Sequence, residues 1–173
     1  LDGSIYIAGE TRGYLDGQTN GGYSDAFISK YNPDGTKEWT RLLGTAELDK
    51  GHALTTGSDG SIYIAGETRG DLDGQIYNGG YSDAFISKYN PDGTKEWTRL
   101  LGSTEYDSGE TITTGSDGSI YIGVSTHTSA PFISKYNPDG IKDWTKLLSG
   151  SPASSTTGKD GSIYITGGGS DVF

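Results

Sequence analysis

The chain has 173 residues and a net charge of −10, with a pI near 4.5, so it repels phosphate backbones and anionic lipid, and neither nucleic acid nor membrane is an expected partner. Cysteine and methionine are absent, which excludes disulfides, thiol catalysis and thiolate metal sites, and no apolar run approaches the roughly 20 residues of a membrane helix. Apolar residues make up only 31%, against 29 glycines and 12 tyrosines, a composition of brief strands joined by many turns.

The chain opens on the phrase DGSIYI at Asp2, which returns at Asp59, Asp117 and Asp160. A loop follows, then FISKYNPDG at Phe27, repeated at Phe85 and Phe132, and then a Trp-centred segment: TKEWTRLLG from Thr36 and Thr94, IKDWTKLLS from Ile141. Residues 20–44 and 78–102 are identical. The third copy loses 11 residues before Phe132 and four after Trp144. The repeats run 1–58, 59–116, 117–159 and a truncated 160–173, a period near 58 that shrinks to 43.

Each repeat predicts four strands. Thr111–Ser116 is short and polar. The Asp117-Gly118 turn, which suits the φ > 0 of a tight hairpin, leads into Ser119–Ile122. After a longer loop comes Ala84–Tyr89, then the turn Asn90-Pro91-Asp92-Gly93, where Pro presets φ and Gly takes the left-handed slot. Thr94–Leu101 is the fourth strand. Apolar residues stand at both odd and even strand positions, which predicts sheets covered on both faces; neighbouring repeats must supply that cover.

Four strands per unit at this period predict an all-β fold, a β-propeller of four-stranded antiparallel blades with about three and a half blades in this chain. A β-solenoid fits less well, because its coils are usually shorter and lack the hairpins. The units resemble the bacterial β-propeller repeat family abbreviated SBBP, through DGSIYIAG, DAFISKYNPDG and WTRLLG. The resemblance implies a toroidal fold, commonly in exported or cell-surface bacterial proteins, and no activity. Three and a half blades form a partial ring, so a piece of a longer ring is expected first. Self-association, in which two chains complete one ring, is expected second.

Three candidate sites follow. Asp71, Asp73, Asn78 and Asp83, with Asp16, Asn20 and Asp25 in the sister loop, place oxygen ligands near a glycine in the manner of part of a Ca²⁺ loop; self-capping of a solvated loop is the favoured account of the same residues. Trp39, Trp97 and Trp144 occupy one place in three repeats and are candidate sugar-stacking platforms, with blade-to-blade packing favoured. Glu10 and Glu67 are equivalent by duplication, and a catalytic carboxylate pair needs unequal environments; His52 and His127 lack a partner at metal-ligand spacing. The expectation is a non-enzymatic scaffold for protein or surface interaction, exported to the cell surface or beyond, with a lectin-like propeller carrying one glycan site per blade as the alternative.

Overall fold

The computed structural model describes residues 3–169, all of them strand or loop. Four antiparallel sheets follow one another. The first holds β1 (Ile5–Thr11), β2 (Asp25–Tyr31) and β3 (Lys37–Leu43). The second holds β4 (Asp49–Thr56), β5 (Ile62–Thr68), β6 (Asp83–Tyr89) and β7 (Lys95–Leu101). The third holds β8 (Asp107–Thr114), β9 (Ile120–Thr126), β10 (Phe132–Tyr136) and β11 (Lys142–Leu147), and the fourth β12 (Ser151–Thr157) and β13 (Ile163–Gly168). Neighbours in each sheet are neighbours in sequence, so each is a meander, and the sheets stack as blades I to IV. The all-β, four-stranded-blade expectation holds. In sequence, Ser170-Asp171-Val172-Phe173 matches Ser24-Asp25-Ala26-Phe27 of the first repeat, and that match lies outside the described residues.

Neighbouring blades, not local pattern, decide what is buried. The sequence IYIAGET occurs in both β1 and β5. In β5, between blades I and III, all seven residues are buried; in β1 exposure alternates, with Ile5 and Ile7 about half exposed. Two apolar clusters fill the junctions. Ala26, Ile28 and Trp39 meet Ile62, Ile64 and Phe85 between blades I and II, while Tyr63, Ile86 and Leu101 meet Ile112, Ile120 and Ile122 between blades II and III. Each fully buried Ile contributes about 1.5–3 kcal/mol.

The first strand of each blade starts earlier than its polar core predicts, at Asp107 rather than Thr111. A β-bulge between Gly109 and Thr111 makes this extension, and Gly109 lies so close to the Gly66 backbone that a Cβ would sit 3.1 Å from its nitrogen and oxygen. These strands pack blade to blade through hydroxyls: Thr114 Oγ1 donates to Thr56 O (3.0 Å), Thr157 Oγ1 donates to Thr114 O (2.7 Å), and the Thr111 and Ser155 hydroxyls pair at 2.6 Å. Polar first strands therefore suit the side where blades converge.

At the opposite edge a clamp repeats. Trp39 on β3 donates its indole N–H to Pro91 O (3.3 Å), and Arg41 donates to Gly93 O (2.9 Å) while lying over the Trp39 ring. Trp97 and Arg99 do the same to Pro138 O (3.2 Å) and Gly140 O (2.9 Å). The Asn-Pro-Asp-Gly turn of one blade is thus held by the Trp-Thr-Arg strand of the blade before it. Gly140 has φ +74°, and a Cβ there would lie 2.9 Å from the Trp97 ring, so glycine serves both the turn and the contact. We predict that Trp97→Ala lowers stability by about 2–3 kcal/mol and Gly140→Ala by about 1–3 kcal/mol, both read from urea unfolding midpoints. Wild-type midpoints would show that the clamp contributes nothing.

Candidate functional site

Paired carboxylates occupy each of these two junctions. At II–III, a Cβ on Gly102 would fall 2.5 Å from Asp83 Oδ1 and 3.2 Å from Asp107 Oδ2, so both side chains crowd one glycine. Asp107 Oδ2 accepts from Ser103 N (2.7 Å) and Ser103 Oγ (3.0 Å), and Asp83 Oδ2 accepts from Asn78 N (2.8 Å) and Asn78 Nδ2 (3.0 Å). Asp83 Oδ1 is fully enclosed with no hydrogen-bond partner. Burial raises the Asp83 pKa and the charge of Asp107 adds to it, against the two Asn78 bonds. At I–II, burial likewise raises Asp49, opposed by hydrogen bonds from Thr68 and Thr45, with the charge of Asp25 adding to the rise.

The acidic loop residues separate into different local jobs. Leu72-Asp73-Gly74-Gln75 closes a two-residue hairpin with Asp73 and Gly74 at φ 53° and 72°, and the Asp73 carboxylate accepts from Thr98 Oγ1 and Lys95 Nζ. Asp16 does the same with Thr40 and Lys37, and the Lys37 bond holds its carboxyl below the usual range. Asp71 Oδ1 accepts from Tyr77 N (2.8 Å), Asp25 accepts from Gly21 N (3.0 Å), and Asn20 Nδ2 donates to Gly22 O (2.7 Å). The structure brings Asn78 and Asp83 together and places Asp71 and Asp73 on other partners. Among the described residues, no three His, Asp or Glu side chains group as a cation site.

Trp39 is buried and Trp97 half-buried, both with their indole N–H on the next blade; Trp144, also half-buried, has Lys146 over its ring where the other blades use Arg. Glu10 and Glu67 differ in surroundings despite their duplication. Glu67 is 2% exposed, paired to Lys50 Nζ at 2.9 Å and bonded by Ser82 Oγ, and Lys50 keeps its carboxyl low against the larger effect of burial. Glu10 is partly exposed beside Arg12 at 3.6 Å. Equal sequence gave unequal environments because blade I has no strand ahead of β1 among the described residues to cover Glu10. His52 Nδ1 contacts Ser108 Oγ at 3.0 Å and His127 is exposed.

Sequence reasoning missed an aromatic surface on the long loops. Tyr14, Tyr23, Ile76 and Tyr81 are all more than half exposed. Arg12 lies over the Tyr23 ring and Arg69 over the Tyr81 ring, 4.0 Å from its centroid. Tyr81 and Tyr106, tilted at 5.7 Å, border a cavity of about 330 Å³ with Glu105 and His127. The signal was present in the repeated Gly-Gly-Tyr-Ser of both loops, but burial depended on the fold.

These blades and loops match known repeats. The β-propeller repeat SBBP matches residues 38–73, and a β-propeller domain of unknown function (DUF5122) matches residues 1–38 and 57–96. Over residues 1–96 the chain is thus similar to β-propeller repeats of the SBBP and DUF5122 kinds. The regulatory protein FlaEY of Caulobacter vibrioides is 30% identical over 143 residues, which is 75% of this chain and 15% of that protein. A crystal structure of a protein of unknown function from Bacteroides caccae superposes with a TM-score of 0.53 at 14% identity, over 83% of this chain and 49% of that one; this likeness concerns the propeller fold alone. The chain therefore spans about half or less of the proteins it resembles.

The propeller junction carries a pH signature. A raised folded-state pKa means that the folded chain binds more protons than the unfolded one, so stability falls as pH rises above the ordinary Asp value of 3.8 and the loss is complete above the raised value. Asp83→Asn removes the buried charge and its effect. We predict that the stability difference between Asp83→Asn and wild type, from urea titrations at pH 4 and pH 7, moves in the variant's favour at pH 7. A pH-independent difference would show that Asp83 does not titrate abnormally.

Proposed function

We propose that this propeller segment is a non-enzymatic scaffold for protein interaction, in an exported or cell-surface setting, and that it docks through the face built by the two long loops. The exposed Tyr14, Tyr23, Ile76 and Tyr81, two of the tyrosines carrying an arginine on the ring, support this reading most directly. Aromatic and Arg side chains are the residues that dominate binding energy at protein interfaces, and loops on a rigid scaffold are where recognition concentrates. The clamped, doubly covered blades supply that rigidity, and duplication sets two related loop faces side by side, which multiplies modest contacts through effective concentration. The propeller fold of the repeat family supports an interaction role of this general kind. The regulatory protein FlaEY, related over a short part of its length, adds a regulatory setting to the proposal.

A lectin-like role is the second reading, supported by the tyrosine-lined cavity at Tyr81, Tyr106 and His127 with Glu105 at its border. Two tilted rings and polar groups suit a sugar face. A photo-crosslinking residue at position 81, used on the full chain with extracellular fractions of the source cells, tests the first reading; a glycan array tests the second. The scaffold reading expects one protein species crosslinked at position 81 and lost when Tyr14, Tyr23 and Ile76 are changed to Ser. Saturable binding of one sugar class that disappears in Tyr106→Ala, with no crosslinked protein, would overturn it in favour of the lectin.

A further inference from the structure

Blade III lacks the loop that covers the same surface in blades I and II, and part of its floor is left open. In blade II the floor is Phe85, Ser87, Tyr89, Lys95, Thr98 and Leu100, which share one face of β6 and β7 by register. The Leu72-Asp73 hairpin lies on it. Leu72 is completely buried in the cluster with Phe85 and Tyr89, and the Asp73 carboxylate takes the Thr98 hydroxyl and the Lys95 ammonium. Thr98 is itself fixed by the Ser87 hydroxyl at 2.7 Å. Blade I repeats this with Asp16, Thr40, Lys37 and Ser29, and Gln18 of that hairpin donates to Thr40 O at 2.8 Å on the edge strand.

The equivalent residues of blade III are Phe132, Ser134, Tyr136, Lys142, Thr145 and Leu147, and they line a cleft of about 510 Å³ at the II–III junction. Ser134 and Thr145 keep their hydroxyl pair at 2.6 Å. Lys142 is exposed and makes no ion pair among the described residues, unlike Lys37 and Lys95. Leu147 is 74% exposed, and Phe132 is only partly buried where Phe85 is fully buried. Asp107 also lines the cleft, with Oδ2 already accepting from Ser103. An ammonium, a hydroxyl donor, an apolar floor and the backbone of edge strand β11 are thus presented together, in the register that holds a Leu-Asp hairpin twice elsewhere in this chain.

We propose that this cleft is a docking site for an acidic peptide turn of a partner protein, a bulky aliphatic residue followed by Asp and Gly, which occupies the place of Leu72-Asp73-Gly74. The aliphatic side chain covers Phe132 and Leu147, over the already buried Tyr136. The carboxylate accepts from Lys142 Nζ and Thr145 Oγ1, with Ser134 donating to Thr145 behind it. Charge-assisted hydrogen bonds of this kind set orientation as well as affinity, and the turn is pre-organised by Asp-Gly at φ > 0. The site is distinct from the aromatic loop face.

The probe is a capped peptide with the chain's own sequence Tyr-Leu-Asp-Gly-Gln-Thr, residues 14–19, titrated into the full chain and followed by amide NMR shifts. Saturable shifts confined to the residues around the cleft, 126–148 with 78, 100–103 and 107, are expected. Exchanging the peptide's Asp for Asn weakens binding about tenfold, as expected for a charge-assisted pair, and Lys142→Ala weakens it by about threefold, the size of an exposed ion pair. Lys142 is exposed, so this variant keeps its fold; Thr145→Val removes the hydroxyl with shape conserved and gives a second weakening. Replacing the short 127–131 connection with the blade II loop 69–82 closes the cleft and abolishes binding. No saturation up to about 5 mM peptide, a limit corresponding to negligible affinity, overturns the proposal. So does binding indifferent to Lys142→Ala and to the Asp exchange, or equal binding of succinate, which would assign the cleft to a small acid.

Discussion

Everything in this molecule depends on sheets that are apolar on both faces and cannot be buried alone. A single meander of four strands leaves half of its Ile, Phe and Tyr side chains in water, and stacking against the next meander is what removes them. The comparison of β1 with β5 isolates this effect, since identical residues are half exposed in one blade and fully covered in the next. The junction is therefore the unit of stability, and the Trp-Thr-Arg strand is placed where it can fix the angle and spacing of successive blades.

Two kinds of contact share the junction. Where the first strands converge, side chains are small and polar, the backbones approach at Gly66 and Gly109, and threonine hydroxyls link one strand to the next. At the wider side, an indole and a guanidinium span to the following turn. Small residues on one side and large ones on the other match the wedge shape that a stack of blades around an axis requires. Between these sides the Asp83–Asp107 pair introduces a cost, because two carboxylates are enclosed together and one oxygen has no donor. The neighbouring turns show the opposite arrangement: Asp59, Asp92 and Asp117 sit at hairpin tips, where burial raises their pKa but is outweighed by bonds accepted from the backbone and hydroxyl two residues on, so their pKa stays low.

Much of the fold was legible in the repeats. DGSIYI, FISKYNPDG and the Trp segment marked three strands and two turns of each blade, and apolar residues on both strand faces called for stacking. The start of β8 was not legible, because the residues before Thr111 are polar and their strand conformation depends on a bulge beside Gly66 in another blade. The acidic loop was legible as a turn but not as a cover. Nothing local in Leu-Asp-Gly-Gln says that its leucine is buried or that its aspartate meets a lysine more than 20 residues away. The deletion before Phe132 was visible from the alignment of the repeats, yet its consequence for Lys142 and Thr145 required knowing what the loop covers in blade II. The equal-environment expectation for Glu10 and Glu67 failed for a related reason: duplication copies residues and not their neighbours.

Native-state hydrogen exchange tests the claim that blade stacking holds the structure. The doubly covered strands β5 and β6 are predicted to exchange only through global unfolding, with protection equal to the free energy from urea titration, while β1 and β13 exchange by local opening. Protection in β5 no greater than in β1, despite their identical sequence, would contradict the account and place stability within each sheet rather than between the blades.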